Sequence, residues 1–146
     1  MDFVRIREFS EQTRGYIHHF LKQLTDASVI LSDTDLRSLL SSDQTHLFLL
    51  YNDEKEAVGM ITIVTCVLAS GNKGWIEDVV VDNTYRGKGY GKLLVEYAIE
   101  YAKSIDIKTL MLTSNPKRIA ANELYRAIGF EQYITNVYKL KVSQTV

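Results

Sequence analysis

The chain has 146 residues, of which 46% are hydrophobic and 24% charged, and its formal net charge is −1. That balance is the one expected of a single soluble globular domain, 1–146, with one core, and the near-neutral charge argues against a general nucleic-acid or membrane partner. The lone Cys66 excludes an internal disulfide. His18, His19 and His46 have no cysteine or carboxylate at ligand spacing, so no metal site is expected. No signal-peptide core and no bilayer-length apolar run is present, so the expected location is cytoplasmic.

Phe3 to Phe9 alternates as a strand does, with Val4, Ile6 and Glu8 set against Phe3, Arg5, Arg7 and Phe9. Ser10 is placed to cap a helix in which Tyr16, Ile17, Phe20, Leu21 and Leu24 recur at helical spacing. A loop, Thr25 to Leu31, leads to Ser32. That serine starts a second, short helix with Asp35 three residues on and Leu36, Leu39 and Leu40 on one face. Thr45 to Tyr51 and Val58 to Val67 read as adjacent strands around a turn at Asn52 to Glu56. Cys66 lies in this apolar run and reads as a small buried side chain. The turn Ser70-Gly71-Asn72-Lys73-Gly74 delivers the chain into a strand at Trp75 to Val81, which completes an antiparallel meander.

The next segment, Arg86-Gly87-Lys88-Gly89-Tyr90-Gly91, joins that strand to an amphipathic helix. The helix buries Leu93, Leu94, Tyr97, Ala98 and Tyr101 and exposes Lys92, Glu96, Glu100 and Lys103. A glycine-rich turn at a helix N-terminus lets backbone N–H groups close on an anion, and the helix adds about half a positive charge there. A Walker A loop requires Ser or Thr after its lysine, whereas Leu93 follows Lys92. A dinucleotide fingerprint requires Gly-x-Gly-x-x-Gly, and the spacing here is one residue too tight. Thr109 to Thr113 then returns as a strand, which makes a parallel crossover. Asn115 and Pro116 read as N-cap and first residue of a last helix that ends at Gly129, and Glu131 to Val142 reads as closing strands.

Arg86-x-x-Gly89-x-Gly91 is similar to the Gln/Arg-x-x-Gly-x-Gly/Ala loop of the GNAT superfamily of N-acetyltransferases. A second segment, with Ala121, Leu124, Tyr125, Gly129 and Phe130, resembles that superfamily's Ala-x-x-Leu-Tyr-x-x-x-Gly-Phe. The two stand in the family's order and separation and cover the C-terminal half. The resemblance implies an α/β fold whose mixed central sheet has an antiparallel N-terminal half and a parallel crossover, flanked by helices. It implies transfer of an acetyl group from acetyl-coenzyme A to a primary amine; direct attack in a ternary complex is expected over an acetyl-enzyme, since Cys66 has no sequence-local activator.

The same resemblance implies the site. The loop Arg86, Gly87, Lys88, Gly89, Tyr90 and Gly91 would grip the pyrophosphate, and Val79, Val80 and Val81 would pair with the amide-bearing arm of coenzyme A. Lys88 alternatively reads as a solvated surface charge. Tyr125 would protonate the leaving thiolate; its other reading is a core tyrosine at helical spacing with Ala121 and Ile128. Glu77 and Asp78 are candidate bases, since carboxylates in a buried strand are unusual unless paired or functional. Adjacent strand residues point to opposite faces, so at most one would serve the site. Asn115, Arg118 and Asn122 are candidate cofactor contacts, each with a local capping or surface role as the alternative. Ile76-Glu77-Asp78-Val79-Val80-Val81 also resembles the glucosamine-6-phosphate N-acetyltransferases, which implies an amino sugar. Those enzymes pair two chains, and a homodimer is a possible assembly; their C-terminal segment differs from the one here. A non-catalytic acyl-coenzyme A sensor and a nucleotide-binding module are the rival classes.

Overall fold

The computed structural model describes residues 1–25 and 31–142. Most of the expected loop from Thr25 to Leu31 therefore falls outside the described residues. The chain divides into two compact units, Met1–Thr113 and Ser114–Val146.

The first unit runs β1 (Asp2–Ile6), α1 (Glu11–Leu24), α2 (Asp33–Ser41), β2 (Thr45–Tyr51), β3 (Ala57–Cys66), β4 (Lys73–Val81), a 3-10 turn (Asn83–Tyr85), α3 (Tyr90–Ser104) and β5 (Leu110–Met111). The five strands form one sheet in chain order. Successive pairs from β1 to β4 are antiparallel, and β4 and β5 are parallel. The helix starts are where the cap residues put them. Ser10 accepts the Thr13 N–H at 3.0 Å, and Ser32 accepts the Asp35 N–H at 3.1 Å while donating to the Asp35 carboxylate at 2.6 Å.

Pleat alternation splits the core between two faces. On one, Leu47, Leu49, Met60 and Val80 pack with Ile17 and Phe20 of α1 and Leu36 and Leu40 of α2. On the other, Phe48 meets the Tyr97 and Tyr101 rings of α3 at 5.0 and 4.8 Å. Helices therefore cover both faces, and every residue of β2 from His46 to Leu50 is buried. Burying each large apolar side chain contributes about 1.5–3 kcal/mol. Gly59 permits α3 to approach: a Cβ there would stand 3.0 Å from Leu94 Cδ1 and 3.1 Å from the Val80 carbonyl. Cys66, at the end of β3, is half-buried and not enclosed, because the strand leaves the helix-covered region there.

β5 is shorter than the expected Thr109 to Thr113 strand. Its pairing with β4 covers only Gly74↔Leu110 and Trp75↔Met111. At Gly74 a Cβ would come 2.8 Å from Leu110 Cδ2, so a larger residue there would push the leucine side chain aside.

The second unit contains α4 (Ile119–Ile128). It begins later than Asn115-Pro116 suggests, because Asn115 caps a turn and not the helix. Its side-chain oxygen accepts the Lys117 N–H and its carbonyl accepts the Arg118 N–H, both at 2.9 Å. Gly129 ends α4 in the left-handed region at φ 113°, with Phe130 N–H donating to the Tyr125 carbonyl at 2.9 Å. The closing strands expected over Glu131 to Val142 do not form. Those residues join no ladder among the described residues, and Ile134, Tyr138, Leu140 and Val142 are exposed. A strand needs a ladder partner, and none pairs with these residues among the described residues.

Candidate active site

Three features of the first unit converge on the C-terminal half of β4. The first is a bulge. Met60 pairs with Val80 and Thr62 with Glu77, so two residues of β4, Asp78 and Val79, oppose Ile61 alone. Asp78 takes the extra length in the left-handed region, at φ 50°. The alternation expected of Glu77 and Asp78 is broken at this step. Glu77 is exposed, and Asp78 is half-buried.

Burial pushes both carboxyls above their ordinary range; the charge of Asp78 adds to the effect on Glu77. The Thr62 hydroxyl is near enough to Asp78 to favour its charged form, yet Thr62 Oγ1 completes no hydrogen bond of ordinary geometry and is itself buried. A buried polar atom in that condition is rare.

The second feature is an open edge. Parallel pairing with β5 stops at Trp75, so β4 from Glu77 to Val81 has no parallel neighbour among the described residues. Val80 and Val81 keep their antiparallel partners Met60 and Gly59 on the other side. The open side presents backbone groups to which an extended amide can add.

The third feature is the loop itself. Gly87 and Gly89 have φ of 76° and 85°, and a Cβ at either would meet nothing within 4 Å. The space beside them is open, and only their conformation demands glycine. Gly91, already inside α3, has no such demand. Leu93 N–H donates to the Gly89 carbonyl at 3.2 Å. The amides of Gly87 through Lys92 have no acceptor among the described residues. These free N–H groups, with the α3 dipole, make a candidate anion cradle. No acidic residue stands in the first turn of α3 to oppose an anion.

Arg86 Nε donates to the Val81 carbonyl at 3.3 Å, which ties its head to the end of the open edge. Lys88 Nζ lies 5.0 Å over the Tyr85 ring, and Tyr85 meets Tyr90 edge to face at 6.1 Å.

In the second unit, Tyr125 is half-buried on α4 and packs edge to face on Phe130 at 6.1 Å. Burial raises its phenol above the ordinary value, with the Arg118 charge acting in the opposite direction. Its hydroxyl has no partner among the described residues. The Asn122 amide donates to the carbonyls of Asn115 at 2.9 Å and Arg118 at 2.8 Å, so both of its donors have local work.

The sequence reading missed Thr62 and a cluster centred on Asp82, where His19 and Gln23 of α1 meet the turn before the loop. Asp82-Asn83-Thr84 has the pattern of a side-chain-capped turn, which was the available signal. Nothing local points to partners on α1. Among the described residues there is no group of three or more His, Cys, Asp or Glu that could hold a metal, and no helix long and apolar enough to cross a membrane.

A mixed sheet that opens beside a glycine-rich turn at a helix N-terminus defines an α/β domain. The sequence pattern of the acetyltransferase (GNAT) family matches residues 4–130. The chain is 33% identical over 117 residues to glucosamine 6-phosphate N-acetyltransferase from Arabidopsis thaliana, covering 75% of this chain and 78% of that one. A crystal structure of glucosamine-6-phosphate N-acetyltransferase from Arabidopsis thaliana matches with a TM-score of 0.73 at 22% identity, over 96% of this chain and 99% of that one. A putative acetyltransferase from Agrobacterium tumefaciens matches with a TM-score of 0.80 at 19% identity, over 97% and 100%. The chain belongs to the acetyltransferase (GNAT) family, whose members transfer acetyl groups to amines and use acetyl-coenzyme A as co-substrate. The comparisons lend no support to the sensor reading.

Proposed function

We propose that this chain acetylates a primary amine with acetyl-coenzyme A by direct attack in a ternary complex, and that residues 1–146 act as one domain. The observation that carries the reading is the open edge of β4 running directly into the Gly87–Gly91 cradle. A pyrophosphate at the cradle and an amide arm along Val79, Val80 and Val81 need that continuity. Arg86 and Lys88 add positive charge, and Asn115 and Arg118 are secondary contacts. Asn122 is the weakest of the assigned contacts, because its donors are engaged within the turn.

The reaction needs three events. The amine loses a proton, its nitrogen attacks the thioester carbon to form a tetrahedral oxyanion, and that oxyanion collapses as the C–S bond breaks. Asp78 or Glu77 takes the amine proton, directly or through water, and Tyr125 gives its phenolic proton to the departing thiolate. Burial lifts the phenol further above a thiol, so the donation depends on Tyr125 being positioned beside the departing sulfur. The value of a base depends on the acceptor. A lysine-like amine costs roughly 4.6 kcal/mol to neutralise at pH 7, an amine of pKa near 7.8 only about 1 kcal/mol.

An amino sugar is the first acceptor to test, on the strength of the plant relative's name and the Ile76 to Val81 segment. Polyamines, aminoglycosides and peptide amines are the other classes. A screen across all four, read as acetyl-coenzyme A-dependent thiol release, tests the reading. Release above the no-acceptor rate with one class supports it, and none with any class contradicts it. A cytoplasmic location and a homodimer complete the proposal; the exposed apolar side chains of Tyr133, Ile134, Val137 and Tyr138 support the latter.

A further inference from the structure

The cradle amides have no hydrogen bonds of their own among the described residues, so the loop takes its orientation from its flanks. One flank is α3. The other is the turn from Asp82 to Tyr85, and two independent arms hold it.

The first arm comes from α1. Asp82 is only 7% exposed. Its Oδ1 accepts the Thr84 N–H at 2.8 Å and the Thr84 hydroxyl at 2.6 Å. Its Oδ2 accepts from Gln23 Nε2 at 3.1 Å and from the His19 ring. An ionised carboxylate accepts only, so His19 carries its proton on Nε2. Gln23 then turns its other end to the next residue: Oε1 accepts the Asn83 N–H at 2.8 Å. The Asp82 amide donates to Val58 at 3.0 Å, so the hub is also stitched to β3. The second arm is the β2–β3 turn. Glu56 takes the Tyr85 hydroxyl and the Asn52 amide, and Asn52 is buried. Tyr85 in turn carries Lys88 on its ring and touches Tyr90, which are loop residues.

We propose that Asp82, Gln23 and His19 are positioning residues that set the angle at which the Gly87–Gly91 amides meet the cofactor phosphates. The proposal rests on the cofactor reading of the loop given above. None of the three side chains belongs to the cradle. They act through the turn, and a small rotation there re-aims every amide of the loop at once. Misplacement of binding groups by about 1 Å costs up to about a hundredfold, so a loosened clamp has a measurable cost in affinity.

The test is calorimetric titration of acetyl-coenzyme A into folded variants, with thermal melting measured alongside. Asp82→Asn and Gln23→Ala should each weaken binding by about tenfold, and His19→Ala, whose ring is more exposed, by about threefold. The distinguishing variant is the exchange D82N/Q23E. The new amide at position 82 keeps an oxygen for Thr84 and turns its nitrogen to the new carboxylate at position 23. That carboxylate still accepts from Asn83, and it faces the His19 nitrogen that lies 2.7 Å from Gln23 Nε2. Binding in the exchange should return to within about threefold of wild type, because the bond between positions 82 and 23 is remade in reverse and the His19 N–H passes from the acceptor at 82 to the one at 23. A role confined to stability would lower melting temperature and leave the affinity of the folded protein unchanged.

Wild-type affinity in Gln23→Ala and Asp82→Asn overturns the clamp, as does an exchange no better than the worse single variant. If Asp82→Asn does not fold, Gln23→Ala and the exchange still decide. A wild type that itself fails to bind acetyl-coenzyme A overturns the cofactor reading and the clamp with it. Binding by wild type with indifferent variants overturns the clamp alone.

Discussion

Asp78 holds a backbone torsion that aspartate reaches at small cost and a β-branched residue does not. Its identity therefore has two explanations: it suits the bulge, and it offers a carboxylate. Asp78→Asn separates them, since asparagine keeps the torsion and removes the charge. Burial raises the folded carboxyl above its unfolded value, so the charged form costs stability as pH rises through the folded pKa. The amide variant should melt above wild type at pH 7, and the gain should vanish below about pH 4, where both states are protonated. If Asp78 is the base, the same variant loses the acidic limb of the pH–rate profile, which in wild type lies above the ordinary carboxylate range. Glu77→Gln is the matched comparison. Should both amides keep wild-type rate and profile, deprotonation belongs to water or to the acceptor's own low pKa. Tyr125→Phe removes the proton and keeps the ring on Phe130. Cofactor binding should survive while turnover falls about a hundredfold, and equal turnover would leave Tyr125 a packing residue.

The turn between β4 and the loop is the element on which these sites depend, and its linkage has the opposite sign. Asp82 is held far below the ordinary carboxylate range: its hydrogen bonds from Thr84, His19 and Gln23 outweigh the opposing effect of burial. A depressed folded pKa contributes stability above the unfolded value, and that stability is lost as pH falls toward the folded one. Asp82→Asn should therefore melt below wild type at pH 7, with the two converging as pH drops below about 4. An unchanged melting temperature at neutral pH would show the hydrogen bonds to be solvent-compensated. Glycines at 87 and 89 were legible in the sequence because a loop between strand and helix needs left-handed residues. The hub was not legible: its α1 partners lie 63 and 59 residues away, and no periodicity links them. Nor was the bulge, because a sequence read at period two cannot show where one extra residue is inserted. The closing strands expected over Glu131 to Val142 join no ladder among the described residues.

At the scale of the whole molecule, the account makes one central claim: the β4 edge and the glycine cradle bind acetyl-coenzyme A as a unit. The β2–β3–β4 meander and the crossover were readable because both come from local signals, turns between strands and a helix between parallel strands, whereas the pairing of β1 with β2 across two helices has no such signal. The gap between β4 and β5 was implied only by the family resemblance, since it depends on pairing stopping after Trp75. Membership of the acetyltransferase (GNAT) family separates this protein from the nucleotide-binding modules. The most direct measurement is calorimetric binding of acetyl-coenzyme A, ATP and NAD to the wild type and to Gly89→Val. A β-branched residue at φ 85° is strained, so the loop must leave this conformation to accept it. The account predicts that acetyl-coenzyme A binds the wild type, that ATP and NAD do not compete, and that a folded Gly89→Val has lost the binding. Unchanged acetyl-coenzyme A affinity in that variant, or equal binding of NAD by the wild type, would contradict it.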